Sequence, residues 1–268
     1  MYYCDACGHI QKDYIATVQE MVTHGACQHP LRHIETQSDA HASINATFER
    51  LGKPKNGDAI TLIMLGKVGV GKTTLCETIV PPADGGEPPG RGSDSLMTTI
   101  DGMRLYLWDT AGQERYGQGA MADMYYRVAH GCILVYDVTD AESFTALEGV
   151  LRRARERCAM GTVFALFGNK TDVVEEDEAK RQVPNAEADR FARRQGIALF
   201  FEVSALTGDR VVDSITLLCR SICLTRGTMK SLAEVGSSAP GSMKLSPRTD
   251  SQKSRTTSPR LKSSLPKC

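Results

Sequence analysis

The sequence has no excess charge of either sign, because Lys plus Arg and Asp plus Glu number 32 each in 268 residues. A protein that binds nucleic acids without sequence preference is normally basic overall, so we expect no nucleic-acid partner. The sequence also lacks an apolar run long enough to cross a bilayer, and it lacks a basic N-terminal start followed by an apolar stretch. We therefore expect a cytoplasmic protein whose nine cysteines are reduced and serve as core residues, metal ligands or lipid sites.

Composition divides the chain into three regions. Residues 1–57 hold three cysteines and five of the six histidines. Residues 58–225 alternate short apolar runs with amphipathic stretches, which is typical of an α/β fold with a mostly parallel sheet. Residues 226–268 are rich in Ser, Thr, Pro and Lys, with nine basic residues against two acidic ones. This third region has few large apolar residues, so we predict a disordered basic tail.

Periodicity within residues 58–225 predicts alternating strands and helices. The predicted strands cover residues 59–65, 105–108, 132–136, 163–167 and 199–203, and the predicted helices cover residues 142–158, 185–195 and 211–224.

A glycine-rich stretch directly follows the first predicted strand and opens a helix. It matches the pattern G-x-x-x-x-G-K-[ST], in which backbone N–H groups and the positive end of the helix face phosphate oxygens. A chance glycine-rich turn is the alternative, but the strand before and the helix after argue against it. We expect Lys72 to reach the β- and γ-phosphates and assist catalysis, and the Thr73 hydroxyl to bind Mg²⁺. The predicted nucleotide-binding residues here are Gly66, Lys67, Val68, Gly69, Val70, Gly71, Lys72, Thr73 and Thr74.

The tetrapeptide Asn169-Lys170-Thr171-Asp172 follows another predicted strand. Guanine presents two donors, N1–H and the 2-amino group, to which the Asp172 carboxylate offers two acceptors. Adenine lacks that pair of donors and would leave the carboxylate unpaired. Lys170 can lay its aliphatic stem over the base, and Asn169 can connect the loops. Such tetrapeptides also occur in solvated loops, but the position of this one downstream of a phosphate loop favours a guanine site.

Two further segments complete the predicted site. Asp109 directly follows the strand predicted over residues 105–108 and is expected to hold Mg²⁺ through water, while the Gly112 N–H can reach a γ-phosphate and Gln113 can orient the attacking water. The backbone amides of Ser204 and Ala205 follow the last predicted strand, where they could contact the guanine carbonyl.

Two long strings give the sequence a family resemblance. Trp108-Asp109-Thr110-Ala111-Gly112-Gln113-Glu114-Arg115-Tyr116 and the stretch Tyr125–Asp140 resemble the Rab branch of the Ras-like small GTPases. The resemblance covers about residues 59–224. It implies a P-loop small-GTPase fold with a six-stranded, mostly parallel sheet flanked by helices, and Mg²⁺-dependent binding of GTP and GDP with slow hydrolysis. Exchange factors, activating proteins and effectors in vesicle traffic are the implied partners.

The segment between the phosphate loop and Asp109 departs from the family pattern. The family has a threonine there that closes over Mg²⁺ and the γ-phosphate, whereas residues 81–95 are rich in proline and glycine and family spacing lands near Pro88. The hydroxyls left near this position are Ser93 and Ser95, because Thr98-Thr99 is predicted to lie in the next strand. We expect weakened Mg²⁺ dependence and a less sharp difference between the GTP and GDP states.

Val68 is the second departure, since the family usually has glycine or serine at this position near the γ-phosphate and an incoming arginine finger. A branched side chain would crowd that space. One interpretation is slow hydrolysis that an activating protein hardly accelerates, despite Gln113. The other is that a neighbouring loop shifts to make room. A second function follows from the two departures: a non-hydrolysing, nucleotide-bound scaffold that recruits partners through the N-terminal extension and the tail.

The N-terminal region contains a candidate zinc site. Cys4 and Cys7 have the spacing of a zinc knuckle, and His24 and Cys27 repeat it. Tetrahedral Zn²⁺ needs four nitrogen or sulfur ligands, which Cys4, Cys7, His24 and Cys27 would supply, with His29 or His33 as replacements. The alternative is a reduced, exposed cysteine pair among scattered histidines.

The tail ends in a lone Cys268 rather than in a C-a-a-X box. The resemblance to Rab proteins and the basic tail make prenylation of Cys268 one interpretation, which would hold the protein reversibly on the cytosolic face of an internal membrane. An unmodified cysteine is the other.

Overall fold

The computed structural model describes residues 2–3, 10–11, 32–33, 36–51, 59–80, 95–109 and 120–237. Three two-residue strands form a small antiparallel sheet in the order β2-β1-β3: β1 (Tyr2–Tyr3), β2 (Ile10–Gln11) and β3 (Arg32–His33). Six longer strands form the main sheet in the order β5-β6-β4-β7-β8-β9: β4 (Ile60–Leu65), β5 (Ser95–Ile100), β6 (Met103–Trp108), β7 (Gly131–Asp137), β8 (Val163–Asn169) and β9 (Leu199–Glu202).

Eight α-helices accompany these strands in the described part of the chain. They are α1 (Gln37–Leu51), α2 (Lys72–Ile79), α3 (Ala120–Val128), α4 (Ala141–Thr145), α5 (Leu147–Arg157), α6 (Thr171–Glu176), α7 (Asn185–Arg194) and α8 (Val211–Ser237). Within these described residues, no helix is both long enough and apolar enough to cross a membrane.

The predicted fold class is confirmed. All neighbouring strands of the main sheet run parallel except β5, which pairs antiparallel with β6. Two helices differ from prediction. The helix predicted over residues 142–158 is divided into α4 and α5, and α8 continues to Ser237 rather than ending near Leu224. The average composition of the tail conceals this continuation, because Gly227 and Thr228 are followed by the good helix formers Met229, Lys230, Leu232, Ala233 and Glu234, and the first proline is Pro240.

Helices cover both faces of the main sheet, as the near-continuous burial of its central strands requires. One apolar cluster joins the sheet to α1, α2 and α8. The other joins it to α3, α4, α5 and α7.

Helix α1 lies within residues 1–57, which differ in composition from the rest of the chain. It nevertheless packs into the apolar cluster that contains α2 and α8. Its start is a capping box, because the Thr36 hydroxyl accepts from the Asp39 N–H (3.1 Å) and the Asp39 carboxylate accepts from the Thr36 N–H (3.2 Å). Ala40, Ile44 and Phe48 then recur every four residues and are all buried.

Parallel strands place their carboxyl ends at one edge of the sheet. Strand β4 lies between β6 and β7 and pairs in parallel with both. The chain therefore leaves β4 toward one side of the sheet and later returns on its other side, and the crevice at such a switch of strand order is where α/β proteins bind ligands. The predicted loops all follow strands at this edge.

Candidate nucleotide-binding site

The loop between β4 and α2 approaches other backbone and side-chain groups so closely that two of its positions require glycine. Gly66 and Gly71 have φ values of 151° and 92°. A Cβ on Gly66 would collide with the carbonyl oxygen of Val135, and one on Gly71 would collide with the side-chain nitrogen of Asn169. The motif therefore has a local structural cause: glycine allows the loop to pass against β7 and β8.

Lys72 begins helix α2 and is buried at 4% exposure. Its ammonium donates to the carbonyl oxygens of Gly66 (2.5 Å) and Lys67 (2.9 Å). The cation is thus held within the loop, beside the N-terminus of α2, and both features favour an anionic ligand.

Two predicted Mg²⁺ ligands meet at the same place. The Thr73 hydroxyl donates to Oδ2 of Asp109 at 2.7 Å, which joins the first turn of α2 to the end of β6. A hydroxyl and a carboxylate oxygen in contact form the hard oxygen donor set that Mg²⁺ prefers, so these residues fit the ion. In the described ranges, which omit residues 81–94 and 110–119, no group of three or more His, Cys, Asp or Glu side chains could hold a metal ion on its own. A site of this kind depends on substrate phosphates for further ligands.

Asn169 joins the phosphate loop to the loop after β9. Its side-chain amide donates to the Val70 carbonyl at 2.8 Å, and its side-chain oxygen accepts from the Ala205 N–H at 2.9 Å. Thr78 of α2 donates to the Ala205 carbonyl at 2.7 Å. Because Asn169 is 1% exposed, both of its hydrogen bonds are protected from water, and they fix the relative positions of the two loops.

Asp172 is held at one of its two carboxylate oxygens. The Ser204 hydroxyl donates to Oδ1 at 2.6 Å, and the same hydroxyl accepts from the Thr207 N–H at 3.1 Å. The carboxylate is thereby oriented while Oδ2 has no hydrogen bond among the described residues, and the side chain is only half-buried. Such a carboxylate can accept the paired donors of guanine.

Lys170 has a partner that the sequence did not reveal. Its ammonium pairs with Oδ2 of buried Asp137 at 2.6 Å, and its backbone takes a left-handed φ of 70°. Asp137 ends β7, next to Asn169 at the end of β8. A carboxylate at the end of a predicted strand is the sequence signal that could have identified Asp137 as a residue of this site.

Comparison with known proteins agrees with this geometry. The sequence model of the Ras family matches residues 61–224. The chain belongs to the Ras family. Among similar proteins, Ras-related protein Rab-13 of Bos taurus is 37% identical over 171 residues, covering 62% of this chain and 81% of that protein. Rab-13 of Rattus norvegicus is 36% identical over 199 residues, covering 72% and 93%. Ras-related protein Rab-4A of Homo sapiens is 35% identical over 165 residues, covering 60% and 72%.

These relatives confirm the predicted Rab-like assignment and, with it, the enzyme class: the chain is a Rab-like GTPase of the Ras family. Members of this family bind GTP and GDP with Mg²⁺, and the residues that surround the loop fit that role.

The Ala205 amide already has a hydrogen-bond partner within the protein. This amide, which is predicted to contact the guanine carbonyl, donates to the side-chain oxygen of Asn169. To contact the guanine carbonyl directly, the Ala205 N–H must either bond to both acceptors at once or give up its hydrogen bond to Asn169. Ser204 contributes its hydroxyl instead, while its amide donates to the Asp209 carbonyl at 3.2 Å.

Lys67 adds an attachment that the motif does not predict. Its ammonium pairs with Glu142 (2.9 Å) and Asp140 (3.3 Å) at the start of α4. Hydrogen bonds to Glu142 and then Asp140 raise the pKa of Lys67. Burial acts to raise the pKa of Asp140, but hydrogen bonds from Lys67 and from the Ser143 and Glu142 amides outweigh it and lower that pKa. The phosphate loop is therefore tied to the chain that follows β7.

Several predicted residues lie outside the described part of the chain. They are Gly112, Gln113, Pro88, Ser93, Cys4, Cys7, His24, Cys27, His29 and Cys268. Thr98 and Thr99 lie in β5, opposite Leu105 and Arg104, as expected. Ser95 begins the same strand, opposite Trp108.

Proposed function

We propose that this Rab-like GTPase is a molecular switch that binds GTP and GDP with Mg²⁺, hydrolyses GTP slowly and regulates vesicle traffic. The observation that carries the proposal is the side-chain network at the carboxyl ends of β8 and β9. Asn169 connects the phosphate loop with the loop after β9, and Ser204 orients Asp172. One nucleotide can therefore contact both loops, at its phosphates and at its base.

Each residue has a role in this proposal. Lys72 and the loop amides bind phosphate oxygens, and Asp172 accepts the two guanine donors. Thr73 and Asp109 would hold Mg²⁺, which neutralises charge that develops on the phosphates during transfer. Gln113 would orient the attacking water.

The slow rate is inferred from Val68. Its side chain is 53% exposed on the phosphate loop, so the protein does not bury it away from the space that the family leaves for the γ-phosphate and for an activating protein's arginine. A branched side chain there excludes groups that stabilise transition-state charge.

Single-turnover hydrolysis of GTP by the Val68→Gly variant tests this inference. We expect a rate roughly tenfold above that of the parent chain, which corresponds to about 1.4 kcal/mol of barrier. Val212→Ala is the matched control, because Val212 is also 53% exposed but lies on α8. An unchanged rate in Val68→Gly would remove valine as the cause.

The exposed Val68 also favours a second function, a nucleotide-bound scaffold that does not hydrolyse GTP. Identification of the nucleotide that co-purifies, together with single-turnover assays with and without Mg²⁺, separates the two. Product that forms only with Mg²⁺ supports the switch, while GTP that stays intact in both assays supports the scaffold.

Zinc binding by the N-terminal extension is a further part of the proposal, with Cys4, Cys7, His24 and Cys27 as ligands. The pairing of the short strands supports it. Tyr3 is paired with both Ile10 and Arg32, so the chain that leaves β1 toward the first cysteine pair and the chain that enters β3 after the second pair share one end of this sheet.

Metal analysis of the purified chain tests the zinc site directly. We expect about one zinc per chain, lost in Cys7→Ser and retained in the control Cys223→Ser, whose cysteine belongs to α8. Absence of zinc from a chain with an intact N-terminus would end this part of the proposal.

Exchange factors, activating proteins and effectors are the proposed partners, and the cytosolic face of an internal membrane is the proposed location. The basic tail and Cys268 would supply the attachment, because one lipid needs a second signal such as basic residues to hold a protein. Mass spectrometry of the protein from its native cells decides this: a prenyl group on Cys268 supports it, and a free thiol on membrane-associated protein contradicts it.

A further inference from the structure

Two cysteines that lie outside the nucleotide site are in contact with each other. The Sγ atoms of Cys132 and Cys158 are 3.4 Å apart. Cys132 lies near the amino end of β7, whose opposite end carries Asp137, and Cys158 directly follows α5. None of the roles proposed above uses either thiol.

The two sulfurs differ in how freely they can move. Cys132 is held between two neighbouring strands, opposite Ile63 of β4 and Phe164 of β8, and is fully buried. Cys158 caps α5 in an extended conformation, with φ −70° and ψ 152°, and leads into a turn. A disulfide requires the sulfurs to approach to about 2.05 Å, so the two must come closer by roughly 1.4 Å, and Cys158 is the less confined of the two.

The pKa values of the two thiols are shifted in opposite directions. The hydrogen bond from Cys132 lowers the pKa of Cys158; burial opposes this, and a hydrogen bond from Thr162 supports it. The hydrogen bond to Cys158 and burial raise the pKa of Cys132. Cys158 is only partly buried, so it is the thiol that a small oxidant in solution can reach, and it is the more readily deprotonated of the two.

The other described cysteines lack this combination. Burial raises the pKa of Cys76 and raises that of Cys219 to about 12. Cys223 is partly buried, but its sulfur contacts the thioether of Met103 at 3.5 Å, which cannot form a disulfide.

We propose that Cys132 and Cys158 are a redox modification site that forms a reversible disulfide, with a hydroperoxide as the oxidant. The Cys158 thiolate attacks the peroxide, its S–O bond forms as the O–O bond breaks, and the leaving oxygen takes a proton. The Cys132 sulfur then attacks the resulting sulfenic acid, the S–O bond breaks, and the Cys132 proton leaves with that oxygen as water. Two thiols and one hydrogen peroxide give one disulfide and two waters.

Peptide mapping of the full-length chain tests the proposal. The protein is treated with hydrogen peroxide, its remaining thiols are alkylated, and it is digested with trypsin, which releases Cys132 within residues 128–152 and Cys158 within residues 158–170. We expect these two peptides to be linked in most chains and to separate after dithiothreitol. Cys158 oxidised to sulfinic or sulfonic acid, with Cys132 still alkylated, would overturn the proposal.

Three variants assign the roles of the two thiols. In Cys132→Ser, Cys158 should accumulate as sulfenic acid that dimedone traps, whereas Cys158→Ser should leave Cys132 reduced. Cys223→Ser is the matched control and should keep the linked peptides. Oxidation of Cys132 in Cys158→Ser at the parent rate would contradict the assignment. If Cys132→Ser does not fold, the map of the parent chain still decides whether the bond forms.

Discussion

The guanine end and the phosphate end of the site are stabilised by different kinds of contact. At the guanine end, side chains bind one another: Asn169 is buried, and Ser204 fixes Asp172. At the phosphate end, one side-chain pair, Thr73 with Asp109, accompanies a backbone cradle that Lys72 holds through two carbonyls. Of the other side chains of this loop, Val68 is exposed and Lys67 makes only surface ion pairs. The choice of base is therefore coupled to the packing of strand ends, whereas exposed loop side chains can change turnover without disturbing the fold.

Among the substitutions considered, we expect Asp172→Ala at the guanine end to weaken nucleotide binding most. The substitution removes the acceptor for two guanine donors, and each hydrogen bond to a charged group contributes about 1.5–3 kcal/mol. We expect the Kd for GDP, measured by fluorescence titration with a labelled nucleotide, to rise about 10²- to 10⁴-fold.

Glu175→Gln is the control for Asp172→Ala, because it removes an exposed carboxylate from the same helix, α6. It should leave the Kd within about twofold, as is usual for surface substitutions away from a site. If Asp172→Ala binds GDP as tightly as this control does, Asp172 does not read the base.

Asn169→Ala breaks the connection between the two ends. It leaves the Val70 carbonyl and the Ala205 amide without their side-chain partner, and each buried unsatisfied group costs about 1–3 kcal/mol. We expect the free energy of unfolding in urea to fall by about 2–4 kcal/mol, with weaker binding of both GTP and GDP. The exposed Asn185 at the start of α7 provides the control Asn185→Ala. A loss of affinity in Asn169→Ala without loss of stability would mean that Asn169 contacts nucleotide rather than joining loops.

Much of this site could be predicted from sequence because its motifs are local. The glycines of the phosphate loop, and Asp172 three residues after Asn169, occupy fixed offsets from strand ends. Asp137 and Ser204 acquire their roles only when β7, β8 and β9 are placed side by side, so their partners depend on the sheet order rather than on spacing.

Helix α1 illustrates the opposite case, in which average composition concealed a local signal. Cysteine and histidine dominate residues 1–57, but Thr36 and Asp39 followed by buried Ala40, Ile44 and Phe48 are a helix start and an apolar face. The partner of that face is α8, some 170 residues later, which periodicity alone cannot indicate.

The phosphate end offers the smallest predicted effect, Lys67→Ala. Lys67 connects the loop to Asp140 and Glu142, but its ammonium is exposed to solvent, where ion pairs contribute little and salt screens them. We expect the Kd for GTP to change by less than about threefold at 0.1 M salt, and the difference from the parent chain to vanish at 1 M salt. Lys180→Ala, an exposed lysine after α6, controls for the loss of one positive charge. A tenfold loss of affinity that persists at 1 M salt would show that Lys67 holds the loop in its binding conformation, and the phosphate end would then depend on side-chain contacts as the guanine end does.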